Sequence, residues 1–181
     1  MLLYRLPGHE VQRFEGSFER IHIEAPLQGF VVSSSDGKHR FVFKENKKSS
    51  VPEDTESIPE VMEEHQFLDS VHKLKIAIKH AGLVKVVLSR IVKKNLNATS
   101  LEDLFGRLCT TYPNAFVYCF SDATLGVWIG ASPEVLLRRI DHHFFLMSLA
   151  GTKKSTEQRE WTEKEKYEQH LVTDYLIDCL S

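Results

Sequence analysis

The sequence predicts an α+β protein, with helices packed on an antiparallel or mixed sheet. Three observations predict it. Candidate elements follow one another as β–α–β–α–βββ–α, which is not the strict alternation of a doubly wound fold. An Asp-Gly pair in "DGKH" sits between the apolar runs "GFVVSS" and "RFVFK", a hairpin signal. Two Ser/Thr-x-x-Glu spacings, Ser57–Glu60 and Thr162–Glu165, stand ahead of helical patterns.

Residues 1–50 read as β-rich. Lys44, Lys47 and Lys48 open a polar stretch that runs through "SSVPEDTES" as an exposed loop. A helix is expected from the Ser57 cap, with Pro59 in its first turn and Val61, Leu68, Val71, Leu74 and Ile78 as its buried stripe. Gly82 ends it, and "VKVVLSRIV" follows as a strand. Ser100 caps a second helix, with Leu101, Leu104 and Leu108 facing inward and Pro113 closing it. Three strands come next: "AFVYCF", "VWIGASPEVLLRR" with a break at Pro133, and "HFFLMSL". Asp122 to Gly126 and Asp141–His142 supply the turns. Trp128, Phe144 and Phe145 are expected in the core or on strand faces. After the polar loop "AGTKKSTEQRE" a last helix carries Val172, Tyr175 and Cys179 on one inward face, with Glu168 on or beside it.

Composition excludes several classes. A chain of 181 residues with 42% hydrophobic and 27% charged residues is an ordinary globular composition. Its net charge of −2 gives no reason to expect nucleic acid or an anionic membrane as a partner. No apolar run approaches the ~20 residues of a membrane span, and the opening "MLLYRLPGHEVQRF" lacks the pattern of a signal peptide. Cys109, Cys119 and Cys179 are odd in number and widely spaced, which suggests neither a disulfide framework nor a zinc site. A reducing cytoplasmic setting is expected.

Four places could carry chemistry. In "GLVKVVLSR", Lys85 interrupts a run of Val and Leu and shares its strand face with Val87, Ser89 and Ile91. It is either an edge-strand lysine that snorkels to water or a buried amine. Burial disfavours the ammonium form, so the neutral amine could act as a general base. Glu134 follows Pro133 in "GASPEVLL", where Gly130 and Ala131 leave room for backbone or ligand. It is either a polar residue at a strand kink or a carboxyl group that protonates a leaving hydroxyl. In "LAGT", Gly151 and Thr152 make either an ordinary turn or an approach for an anion. Glu168 is either an accident of an amphipathic helix or a metal or substrate ligand. One carboxylate alone cannot hold Mg2+, and no second acidic partner stands out.

The order of these blocks is more informative than any one of them. "KVVLSR", "WIGASPEVLL", "LAGT" and "EKEKYEQHLV" succeed one another as in the chorismate-utilising enzymes, and the chain resembles that family from residue 85 to about 180. Residues 1–80 match it only loosely. The resemblance implies that Lys85 is the base that activates water and Glu134 the acid that protonates the departing hydroxyl. It implies that Gly151 and Thr152 contact substrate, and that Glu168 is a ligand of Mg2+. Where the family has His-Glu-His or a similar triplet, this chain has Tyr167-Glu168-Gln169. A lysine in the base position, and "LAGT" rather than "PIAGT", resemble the water-using branch. The implied reaction is addition of water at C2 of chorismate with loss of the C4 hydroxyl, giving isochorismate for menaquinone or siderophore synthesis. A salicylate synthase, which also eliminates pyruvate, and a catalytically inactive module are the alternatives.

The resemblance also implies a fold of the anthranilate synthase component I kind, an α/β/α sandwich of which these residues form the first part. On that reading residues 1–56 are a variable β-rich segment and 57–181 begin the chorismate-binding core. The remaining ligands, an arginine and glycine-rich loops lie in a carboxy-terminal half. The chain alone is then expected to be inactive, to expose apolar surface and to self-associate.

Overall fold

The computed structural model describes residues 1–47, 61–95 and 100–180. These form an α+β arrangement in which every strand pairing is antiparallel. A four-stranded sheet has the order β2 (Gln12–Phe14), β1 (Leu2–Arg5), β6 (Phe116–Asp122), β7 (Gly126–Ser132). A three-stranded sheet has the order β3 (Gly16–Arg20), β5 (Arg40–Glu45), β4 (Val31–Ser33). β8 (Arg138–Ile140) and β9 (His143–Phe145) form a separate hairpin. The helices are α1 (Glu64–Ala81), α2 (Leu101–Thr111) and α3 (Glu163–Asp178).

The core lies on the two faces of β1 and β6, as strand alternation requires. Leu3, Val117 and Cys119 turn to one face, where buried Phe105 of α2 meets them with Leu101 and Leu108 beside it. Leu2 and Phe120 turn to the other, against Phe18 of the three-stranded sheet. Phe18 and Phe120 have ring centroids 4.8 Å apart. Buried Asp122 ties the two sheets: one carboxylate oxygen accepts the Phe18 N–H at 3.0 Å, and the other accepts the Thr124 and Leu125 N–H groups of the turn. Arg5 of β1 donates to the carbonyls of Cys109, Tyr112 and Ala115 at 2.8, 2.7 and 3.0 Å. A cation thereby satisfies the C-terminal end of α2.

Several expectations hold. The hairpin pairs Val31 with Val42 around Asp36–Gly37, and Gly37 takes φ +70°. Ser100 accepts the Asp103 N–H to cap α2, and the Thr162–Glu165 box opens α3. Gly82 adopts φ +66° at the end of α1, a left-handed conformation that suits glycine. Pro133 does interrupt the strand run: β7 stops at Ser132 and β8 begins at Arg138.

Other expectations are corrected. α1 starts at Glu64, where Glu63 and Gln66 make the capping box. The Ser57–Glu60 box, Pro59 and the boundary at 56/57 lie outside the described residues. "VKVVLSRIV" is not a strand. Among the described residues no strand pairs with residues 83–95, so the apolar run has no ladder to join. Its side chains stay open, Val87 at 81% exposure. The expected inward stripes of α1 and α3 are at best half-buried: neither helix has a buried residue, and Tyr175 is 67% exposed. Trp128, Phe144 and Phe145 lie in strands as expected but are exposed rather than core. Gly130 gives its room to a neighbour, since a Cβ there would meet the Tyr118 ring at 2.8 Å.

The buried residues thus all fall before residue 123, and none lies between 61 and 95. Phe105→Ala is expected to lower unfolding free energy in urea by about 3–5 kcal/mol, whereas Leu136→Ser, at an exposed position, should stay within about 0.5 kcal/mol. Equal costs at the two positions would contradict this placement of the core.

Candidate functional site

α3 organises the candidate site. Its first turn is held by the Thr162–Glu165 box, and three and four residues on it presents Glu168 and Gln169. Glu168 Oε1 lies 3.0 Å from Lys85 Nζ, with 34% and 33% of the two side chains exposed. Two residues far apart in the chain, from blocks singled out separately in the sequence, are therefore in contact. The burial expected of Lys85 is absent; a carboxylate partner takes the place of an aliphatic wall. Such a half-exposed pair contributes at most about 1 kcal/mol, so its content is positional.

Gln169, the next residue, fastens α3 to the segment after β9. Its Nε2 donates to the carbonyl and the hydroxyl of Ser148 at 2.8 and 2.9 Å. Ser148 Oγ also lies 2.7 Å from Thr173 Oγ1, one turn further along α3. From Ser148 the chain continues through Leu149 and Ala150 to Gly151 and Thr152. Gly151 lies close to the helix start: a Cβ on it would stand 3.3 Å from the Trp161 ring and 3.7 Å from Glu165 Cγ. The space that glycine leaves here is filled by Trp161. The Thr152 hydroxyl is exposed and has no hydrogen-bond partner among the described residues.

Glu134 is reached from the other side of the same segment. Met147 N donates to the Val135 carbonyl at 3.3 Å, and Val135 N donates to Met147 Sδ at 3.2 Å. Glu134 sits just before this contact, is exposed, and its carboxylate has no ion-pair or hydrogen-bond partner among the described residues. The structure thus brings Lys85 and Glu168 together directly. It links Gly151 to the same helix, and it joins the Glu134 strand kink to them through Met147 and Ser148.

Sequence reasoning missed one carboxylate. Glu165 was assigned only to the cap, although its i, i+3 spacing from Glu168 places both on one side of α3. Arg159 grips Glu165 with two nitrogens, each at 2.8 Å, and the Thr162 N–H and hydroxyl add bonds at 2.8 Å. Lys153 Nζ and the Arg159 guanidinium lie over the Trp161 ring at 4.9 and 5.8 Å, within cation–π range.

The Mg2+ that the resemblance implies at Glu168 does not fit this donor set. Each of the two carboxylates already has a cation from the protein: Lys85 on Glu168 and Arg159 on Glu165. Among the described residues no group of three or more His, Cys, Asp or Glu side chains could hold a metal ion.

The Glu165 contacts set a pH dependence. Hydrogen bonds from Arg159, followed by those from Thr162, lower its pKa from 4.5 to about 2. A depressed carboxylate adds stability that is complete above the unfolded value and disappears as pH falls toward the folded one. The start of α3 should therefore loosen between about pH 4.5 and 2. The check is the Glu165 side-chain carbon shift followed by NMR. Titration near 2 is expected, moving toward the ordinary value in Arg159→Ala. Titration near 4.5 in the unaltered chain would contradict the clasp.

Comparison with known proteins agrees with these blocks. The sequence model described as "Chorismate binding enzyme" matches residues 24–180. Anthranilate synthase component 1 of Aquifex aeolicus (strain VF5) is 29% identical over 109 residues, which are 60% of this chain and 21% of that protein. The match thus spans about a fifth of the length of that curated relative. No solved structure matches. With the family model covering most of its length, the chain belongs to the chorismate-binding enzyme family.

Proposed function

We propose that these residues serve the conversion of chorismate to isochorismate. The observation that carries the reading is the contact of Lys85 with Glu168 on the helix that also holds the Gly151 loop. A lysine in this position suits a reaction whose nucleophile is water, because water needs a base to remove its proton.

The steps balance without an added reagent. Lys85, as the neutral amine, takes a proton from water as the oxygen bonds to C2. The ring double bonds shift, and the C4–O bond breaks. Glu134, protonated, gives its proton to that oxygen, which leaves as water. Transfer of the proton held by Lys85 to Glu134 through solvent resets both groups, and the net change is an isomerisation. An ammonium ion has no lone pair, so Lys85 must part from Glu168 and give up a proton before it can act. Gly151 and Thr152 lie beside α3, where backbone N–H groups and a free hydroxyl suit a substrate carboxylate. No step is routed through a metal. The 181-residue chain alone is proposed to be inactive or nearly so, because Lys85, Glu134, Gly151 and Thr152 are all exposed.

A second reading follows from the anthranilate synthase relative. Ammonia in place of water would attack the same carbon, and no base at Lys85 would be required. The two readings separate in a polypeptide that carries these residues and turns over chorismate. Chromatography is expected to show isochorismate, with or without ammonium salts. Lys85→Ala and Glu134→Gln should each lower kcat by about 10²- to 10⁴-fold, the usual worth of a general acid or base. Anthranilate formed only with ammonium, or full turnover by Lys85→Ala, would overturn the proposal; salicylate with pyruvate would replace isochorismate as the product.

A further inference from the structure

Gln169 adjoins Glu168 on α3, and neither the acid–base steps nor the substrate contacts proposed above use it. Its side chain is half-buried, as are Ser148 and Thr173 beside it. Only the Nε2 end of a carboxamide can donate, and it lies 2.8 Å from the Ser148 carbonyl and 2.9 Å from Ser148 Oγ. Counting donors fixes the remaining directions. Thr173 Oγ1 donates its one proton to the Gln169 backbone carbonyl at 3.0 Å, so the 2.7 Å contact between the two hydroxyls is donated by Ser148. A closed ring results, running from Gln169 Nε2 to Ser148 Oγ, on to Thr173 Oγ1, and back to the Gln169 carbonyl. Bonds in such a ring polarise and strengthen one another.

We infer that Gln169 is a positioning residue: through Ser148 it sets where Gly151 and Thr152 stand relative to Lys85 and Glu168. The inference deepens the proposed function and rests on it in taking Gly151 and Thr152 as substrate contacts. Ser148 is three residues before Gly151, so the tether limits that backbone to a reach of about 10 Å. It is made at the residue next to Glu168, whose carboxylate meets Lys85 at 3.0 Å. A second hold acts further along, where Gly151 stands against Trp161 and Glu165 at the start of the same helix. The loop is thus referred twice to α3, once at each end of its short run. A loop that contacts a substrate carboxylate does so before and during the reaction alike. Misplacing it weakens substrate and transition state together, which raises KM and leaves kcat in place.

Two measurements test this. In the purified chain, the nuclear Overhauser contact between the Trp161 ring and the Gly151 α protons reports the place of the loop. The Phe18–Phe120 contact, with 4.8 Å between ring centroids, is the internal standard. Gln169→Leu should weaken the first contact and leave the second. In a polypeptide that carries these residues and turns over chorismate, Gln169→Leu should raise KM about tenfold, the joint worth of two neutral hydrogen bonds, with kcat little changed. Ser148→Ala keeps the bond to the carbonyl and should raise KM less. The two substitutions together should raise KM by less than the product of their separate effects, because they break one ring. An unchanged Trp161–Gly151 contact, a fall in kcat at constant KM, or fully multiplicative effects would overturn the inference. Should Gln169→Leu lose its helices by circular dichroism, Ser148→Ala, which leaves α3 unaltered, carries the same readouts. A product other than isochorismate would overturn the proposed reaction and not the positioning, which the contact in the purified chain and the KM for chorismate read whatever the product.

Discussion

The contact between Lys85 and Glu168 is the constraint on which the functional half of the molecule depends. It joins the segment after α1 to α3. Residues 83–95 make no strand pairing among the described residues, and α3 has no buried side chain. The well-packed core is elsewhere, on the two faces of β1 and β6, and would stand without that contact. A single half-exposed ion pair is a weak stabiliser. Here it serves as a register mark, setting which residue of an extended run faces which turn of a helix.

This division gives the chain two characters. The amino-terminal sheets and α2 bury their apolar residues and satisfy awkward groups locally, as Arg5 does for the end of α2 and Asp122 for the turn before β7. The later elements satisfy their polar groups too, as at the Thr162–Glu165 box, but no residue beyond Asp122 is buried among the described residues. Val87, Leu136, Phe144 and Tyr175 face outward, although their sequence contexts have the hydrophobicity of interior strands and helices. Self-association through this surface is a proposal that rests on these exposed apolar side chains. Among the described residues no helix is long and apolar enough to cross a membrane.

How much was legible in the sequence varied with the range of the signal. Local signals read well. The hairpin at Asp36–Gly37, the Ser100 and Thr162 caps, the Gly82 stop and the break at Pro133 are each decided by one or two residues and their backbone preferences. Burial read poorly wherever it needed a partner element. The run around Lys85 has strand composition, but a strand exists only when another pairs with it, and that cannot be seen in nine residues. The same holds for Tyr175 on α3 and for Trp128 on β7. The candidate site was legible as separate blocks. That Lys85 would meet Glu168, and that Glu165 would be clasped by Arg159, depend on tertiary placement.

Zero-length carbodiimide cross-linking, followed by peptide mass spectrometry, tests the central contact most directly, because it joins an amine to a carboxylate only when they touch. The account predicts a linked peptide pair containing Lys85 and Glu168, lost in Glu168→Gln. The Lys73–Asp69 and Lys166–Glu163 pairs, both at 2.7 Å, serve as internal standards. Linkage at those two pairs with none between Lys85 and Glu168 would contradict it.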